Sequence, residues 1–183
     1  YWQSKISYQS ASETLEIARK MRENKVPCDV IHLDTFWFEK DWLCNLEFSK
    51  ERFPDPKAYL KELADLGFKV SLWQIPYIPE GSPLFDELLA ADGFVKAPDG
   101  SLAPGGFCFT AGFKGRVGVI DYSNQKAVKI HQEYFRRLFR LGVKVIKTDF
   151  GEAAPINGVY ANGKPGKQNH NLYPLLYNRA LFD

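Results

Sequence analysis

The chain has 183 residues, 45% of them hydrophobic and 25% charged, a composition that suits one globular domain. Its 24 Lys and Arg stand against 22 Asp and Glu, for a net charge of +2, which excludes a basic footprint for nucleic acid or for a membrane surface. The three cysteines, Cys28, Cys44 and Cys108, are odd in number and lack metal-ligand spacing, so neither a disulfide framework nor a zinc site is expected, and no cofactor is implied.

Strand and helix signals alternate along the chain. The opening "YWQSKIS" reads as a short strand. It lacks the apolar core of a signal peptide, and no later run reaches membrane-spanning length. With free thiols favouring a reducing compartment, the expectation is a cytoplasmic protein. Ser10 and Glu13 have capping-box spacing, and Leu15, Ala18 and Met21 then share one helical face. "CDVIHLD", residues 28 to 34, is the second strand. Asp55-Pro56 supplies an N-cap and a proline at the first helical position, and Gly67 ends that helix.

"FKVSLWQIP", residues 68 to 76, is the third strand. A long excursion follows, at about 76 to 124. It holds a short helix from Ser82-Pro83 to about Ala91 and a turn at Pro98-Asp99-Gly100, and its glycine- and aromatic-rich middle, "APGGFCFTAGFKG", reads as loop. Asn124 caps a helix carrying Val128, His131, Phe135, Leu138 and Phe139, which ends at Gly142; Arg136, Arg137 and Arg140 form its solvated face. "VKVIKTDF" is the fourth strand. After a Gly- and Asn-rich loop, 157 to 169, "HNLYPLLYNRALF" reads as the last helix, with Pro174 near its first turn and His170 as a local cap.

The order βαβαβαβα implies a parallel sheet covered by helices. Neither a dinucleotide fingerprint nor a P-loop is present. Four βα units are half of a (β/α)8 TIM barrel, whose full form takes roughly 250 residues; a small doubly wound sheet is the alternative. In both, ligands bind at the carboxyl ends of the strands. There the sequence places Asp34, Phe36 and Trp37 after the second strand, Trp73 and Tyr77 after the third, and Lys147, Asp149 and Glu152 after the fourth. Side chains alternate along a strand, so Lys147 and Asp149 face the same way and Thr148 faces the other. A lysine beside a carboxylate favours its ionised form.

Each of these residues also has a plain structural reading. Asp149 and Asp34 are ordinary loop or turn caps by position, and Trp73 is ordinary core. An aromatic share of 15% serves equally for a core or for a groove that stacks on sugar rings. The coincidence on consecutive strand ends points to a site. A carboxylate with aromatic walls, and without a metal constellation, suits sugar binding and glycoside cleavage, for which two carboxyl groups normally flank the bond. His32 and His131, inside a strand and a helix, read as packing residues.

"HLDTFWF", "FPDPKAYLKELADLGFKVSLWQIPYI", "VIDYSN" and "KTDFGE" together resemble the catalytic barrel of glycoside hydrolase family 31 over nearly the whole chain, and "KTDFGE" with its strand-two aromatics is similar to the bacterial α-xylosidase branch. The resemblance implies that residues 1 to 183 are the N-terminal half of a TIM barrel and that Asp149 is the nucleophile of a retaining α-xylosidase. It also implies sugar-binding roles for Asp34, Phe36, Trp73 and Lys147, with Phe36 near C5 of the sugar, where its bulk disfavours a hydroxymethyl group. Thr35 stands where that branch has cysteine. Asp121 of "VIDYSN" is expected to be structural. The family's acid/base aspartate lies on a later strand, and no residue here matches it. The alternatives are an α-glucosidase of the same family and a non-catalytic sugar-binding scaffold. The implied partners are an α-linked glycoside or oligosaccharide substrate and the remaining half of the barrel, with no nucleic acid and no membrane; homo-oligomerisation is left open.

Overall fold

A computed structural model describes residues 1–183 of the chain. The elements run β1 (Trp2–Lys5), α1 (Ala11–Glu23), β2 (Val30–Leu33), α2 (Pro56–Asp65), β3 (Lys69–Gln74), β4 (Tyr77–Pro79), α3 (Pro83–Ala90), β5 (Val117–Val119), α4 (Gln125–Leu141), β6 (Val145–Thr148) and α5 (Gly166–Phe182). The chain divides into two compact units: Tyr1–Trp42, Leu46–Gln74 and Arg136–Lys147 make the first, and Leu43–Asn45, Ile75–Phe135 and Thr148–Asp183 the second. No helix is long and apolar enough to cross a membrane.

The first unit is built on one sheet, in the order β1-β2-β3-β6. β1 pairs parallel with β2, and β2 with β3. All four residues of β2 and five of the six of β3 are buried, as expected of strands covered on both faces. Lys144 N donates to Val70 O at 3.1 Å just before β6 begins. The helices start where their caps dictate. Ser10 accepts from Glu13 N, while the Glu13 carboxylate returns to Gln9 N, a capping box displaced by one residue. Asp55 accepts from Ala58 N ahead of Pro56. α2 then buries Tyr59, Leu60 and Leu63, and burying a large apolar side chain stabilises by roughly 1.5–3 kcal/mol. Arg22 ties the end of α1 to its surroundings: it donates to Leu66 O and Cys28 O and lies over the Phe68 ring at 3.6 Å.

The second unit contains the excursion between β3 and α4. Its segment has more order than its composition indicates, because β4 and β5 form an antiparallel ribbon with Tyr77 opposite Val119. Gly118 is required there, since a Cβ would stand 2.5 Å from the Phe94 ring. Asn124 caps α4 by accepting from Lys126 N at 2.9 Å. Tyr122, Tyr173, Tyr177 and His131 form an aromatic core, with Tyr122 stacked on Tyr177 at 5.1 Å. Burial pushes the His131 imidazole down to about 3, so it stays neutral and serves packing. Asp121 is structural: one carboxylate oxygen accepts from Ser123 N and Oγ, and the other from Ala161 N at 2.7 Å.

α5 departs from the sequence expectation. It starts at Gly166, so Pro174 is in the helix interior and His170 lies within the helix rather than capping it. The turn ahead of the proline is held by side chains. Asn169 is buried, donates to Lys164 O, and exchanges hydrogen bonds with Asn162. These contacts, with the burial of Tyr173 and Tyr177, offset the roughly 3 kcal/mol that an interior proline costs.

Candidate active site

The polar cluster of the first unit is built by strand register. His32 and Ser71 are direct cross-strand partners on β2 and β3, and Asp34 lies two residues beyond His32, on the same face. The imidazole therefore bridges them: Nε2 lies 2.9 Å from Asp34 Oδ2, and Nδ1 lies 3.0 Å from Ser71 Oγ. An ionised carboxylate only accepts, so Nε2 donates to Asp34 while Nδ1 pairs with the Ser71 hydroxyl. Lys147 reaches the same Asp34 oxygen at 3.5 Å from β6, across the C-terminal end of β3.

The electrostatics follow from this geometry. Burial, the largest single effect, pushes the Asp34 carboxyl up. The His32 hydrogen bond and the Lys147 charge together outweigh it and hold the group below its ordinary value of 3.8. Asp34 is thus a largely buried carboxylate kept ionised by design of its neighbours, with side-chain exposure of 13%.

The aromatic residues take two different environments. Phe36 is half-buried in the loop after β2, braced by Arg52. The guanidinium lies 3.8 Å over the ring, donates to Phe36 O at 3.2 Å, and also bonds Phe38 O and Glu39 O. Trp73 is 1% exposed and packs edge-on against Trp42 at 4.8 Å and Phe38 at 6.2 Å. Its carbonyl accepts from Trp37 Nε1 at 2.8 Å.

Asp149 follows β6 by one residue and belongs to the second unit. Its Oδ1 accepts from the next amide, Phe150 N, at 3.1 Å. Thr148, which alternation points the other way, donates to Asn178 Oδ1 at 2.7 Å. The chain then turns through two left-handed residues, Phe150 at φ 58° and Gly151 at φ 119°. Beyond the turn, His170 Nδ1 donates to Ala154 O at 2.7 Å beside a cavity of about 430 Å³, whose lining includes Gly105, Glu152 and Pro155. No group of three or more His, Cys, Asp or Glu side chains stands close enough to hold a metal ion.

Among the residues singled out by sequence, Asp34 and Lys147 meet directly, and Phe36 stands two residues further along the Asp34 loop. Two contributors were not legible as such. His32 reads as packing, although its spacing of two from Asp34 is a signal. Arg52, in "SKERFP", carries no local signal for its role.

The whole chain, residues 1–183, matches the model of the glycosyl hydrolases family 31 TIM-barrel domain. It is 37% identical over 175 residues to the α-xylosidase XylQ of Lactiplantibacillus pentosus, a match covering 95% of this chain and 22% of that protein. It is 32% identical over 163 residues to an α-xylosidase of Emericella nidulans, covering 88% of this chain and 20% of that one. A solved family 31 dextranase from Flavobacterium johnsoniae, complexed with glucose, superposes with a TM-score of 0.86 at 24% identity, over 99% of this chain and 23% of its own, and shares the fold. The chain thus spans about a fifth of the length of the curated relatives it matches. Its four βα units are those of a TIM barrel, and the chain belongs to glycosyl hydrolase family 31.

Proposed function

We propose that the chain carries the nucleophile side of a retaining α-xylosidase. The observation that carries this reading is the Asp34 carboxylate, held ionised by His32 and Lys147 at the end of β2, in a chain that also ends β6 on "KTDFGE". His32 and Lys147 both engage Oδ2, which leaves Oδ1 for a sugar hydroxyl. Lys147 lies beside Asp34 Oδ2 with its side chain 44% exposed. Phe36, fixed by Arg52, limits the room beside C5 and favours a pentose. The similarity to two proteins named α-xylosidases supports the same sugar.

In this reading an Asp149 oxygen attacks the anomeric carbon as the bond to the aglycone oxygen breaks. The leaving oxygen takes its proton from a carboxylic acid outside these 183 residues. A covalent xylosyl ester on Asp149 results. Water then attacks the same carbon, giving its proton back to that group outside the chain; the ester bond breaks, α-xylose leaves and the Asp149 carboxylate is restored, so two inversions give net retention. Trp73, through its packing on Trp42 and Phe38, supports the wall of the sugar site.

The test uses the full-length protein that contains this chain. It is incubated with a 5-fluoro-xylosyl fluoride, digested and mapped by mass spectrometry, and its turnover of aryl α-xyloside and aryl α-glucoside is compared. A label on Asp149 with the xyloside preferred supports the proposal. A label on another residue sinks the nucleophile assignment. A preference for the glucoside moves the protein to the α-glucosidases, and binding of xylose without label or turnover makes it a sugar-binding scaffold.

A further inference from the structure

Asp149 is followed by a turn that a bulky residue does not adopt by preference. Phe150 has φ 58°, in the left-handed region that disfavours side chains, and such a conformation persists only where its surroundings over-determine it. The restraint is visible in the second unit. Tyr77 is fully buried at the start of β4. Its hydroxyl accepts from Gly151 N at 3.0 Å and from Ala153 N at 2.9 Å, so one oxygen gathers both amides just past the turn. Burial, the largest effect, pushes this hydroxyl up from its ordinary value, and it acts as a neutral phenol.

The aromatic loop adds a second layer. Phe107 stands edge-on to Tyr77 at 4.9 Å and edge-on to Phe150 at 5.0 Å. Gly106 N donates back to Ala153 O at 3.3 Å. The glycine pair exists for this approach: a Cβ on Gly105 would meet Ala153 O at 2.6 Å, and one on Gly106 would meet the Tyr77 ring at 3.0 Å. The "PGGF" stretch, a plain loop by composition, is the backing of the turn.

We infer that Tyr77 is a positioning residue for Asp149, its hydroxyl fixing the Phe150–Gly151 turn that aims the carboxylate. This rests on the reading of Asp149 as nucleophile. The hydroxyl oxygen is the one atom that couples both amides to the buried end of β4. Without it the turn has its aromatic packing but no fixed height, and displacements of about 1 Å at a reacting group can cost on the order of 100-fold in rate.

The test is Tyr77→Phe in the full-length protein, which removes the acceptor oxygen and keeps the ring. The expected result is a fall in kcat of about 10- to 100-fold with KM unchanged within about twofold, and an equal fall in the rate of labelling by the fluorosugar. Wild-type kcat and labelling rate overturn the inference, as does a lowered melting temperature with kcat retained in the cold. Should the variant fail to fold, hydrogen exchange of the wild-type protein decides: Gly151 and Ala153 amides protected like those of β3 support it, and exchange at free-loop rates overturns it. The site of the label keeps the two readings apart. A label away from Asp149 sinks the nucleophile assignment itself, whereas a label on Asp149 with an indifferent Tyr77→Phe sinks only the positioning role.

Discussion

His32 donates to Asp34 from two residues back on the same strand, at 2.9 Å, while Ser71 holds the other ring nitrogen from the neighbouring strand. The imidazole thus orients the carboxylate and, together with Lys147, keeps it ionised. The consequence for pH has a definite sign. The folded Asp34 carboxyl titrates below its ordinary 3.8, so its contribution to stability is complete above that pH and is lost as pH falls through the lower, folded value. The expected outcome is that Asp34→Asn destabilises the wild-type protein at neutral pH and that the difference closes only in strong acid. Thermal unfolding of both proteins from neutral pH downward measures it. A difference independent of pH down to full protonation contradicts the assignment.

His32→Ala should cost about 1–3 kcal/mol, because a largely buried carboxylate loses its donor and Ser71 its partner. It should also raise KM for the xyloside, since Asp34 then swings under the pull of Lys147 alone. Denaturant unfolding and steady-state kinetics read the two effects separately, and a variant with wild-type KM rules out the orienting role.

Arg52 makes the argument for sugar preference testable. Its planar fork covers the Phe36 ring and bonds the backbone carbonyls of Phe36, Phe38 and Glu39 in the same loop, a geometry that an ammonium does not reproduce. Arg52→Lys should release Phe36 and lower the ratio of kcat/KM for xyloside over glucoside several-fold, with a stability loss of about 1–2 kcal/mol. An unchanged ratio shows that Phe36 holds its place without the arginine.

The outline of this site was legible because strand ends are legible. Asp34 closes an apolar run and Lys147 stands at the end of β6, and these two meet. What escaped depended on pairing across distance. Register between β2 and β3 decides that His32 meets Ser71, and nothing local to either strand encodes it. β4 and β5 are three residues each, too short for a period of two to show, and their ribbon forms because Gly118 lets Phe94 pack against it. α5 starts four residues ahead of His170, where its sequence signal begins: Gly166 and Pro174 are poor helix formers, and the Asn162–Asn169 pair that holds its first turn joins that turn to the preceding loop.

These 183 residues on their own should not hydrolyse an aryl α-xyloside. Retaining chemistry uses two carboxyl groups, one to attack and one to protonate the leaving oxygen, and the proposal assigns Asp149 only the first role. Turnover by the isolated chain, with contaminating glycosidase excluded by an Asp149→Ala control, would show that a second carboxyl group within it acts as the acid.

Asp121 separates a structural aspartate from a chemical one. It is 2% exposed and pins Ala161 N, at 2.7 Å, to the turn that opens α4. Asp121→Ala removes the acceptor of the part-buried Ser123 and Ala161 N–H groups, at about 0.5–1.5 kcal/mol for each bond. The full-length variant should therefore melt at a lower temperature. None of its bonds reaches Asp34, Lys147 or Asp149, so kcat per folded molecule, measured well below the melting transition, should stay within about twofold of wild type. Asp149→Ala should do the reverse, keeping the melting temperature close to wild type and losing turnover by several orders of magnitude, the scale expected for removing a nucleophile. Measuring both variants side by side by calorimetry and kinetics gives opposite signatures, and if the two coincide, one of the two carboxylates has been given the wrong role.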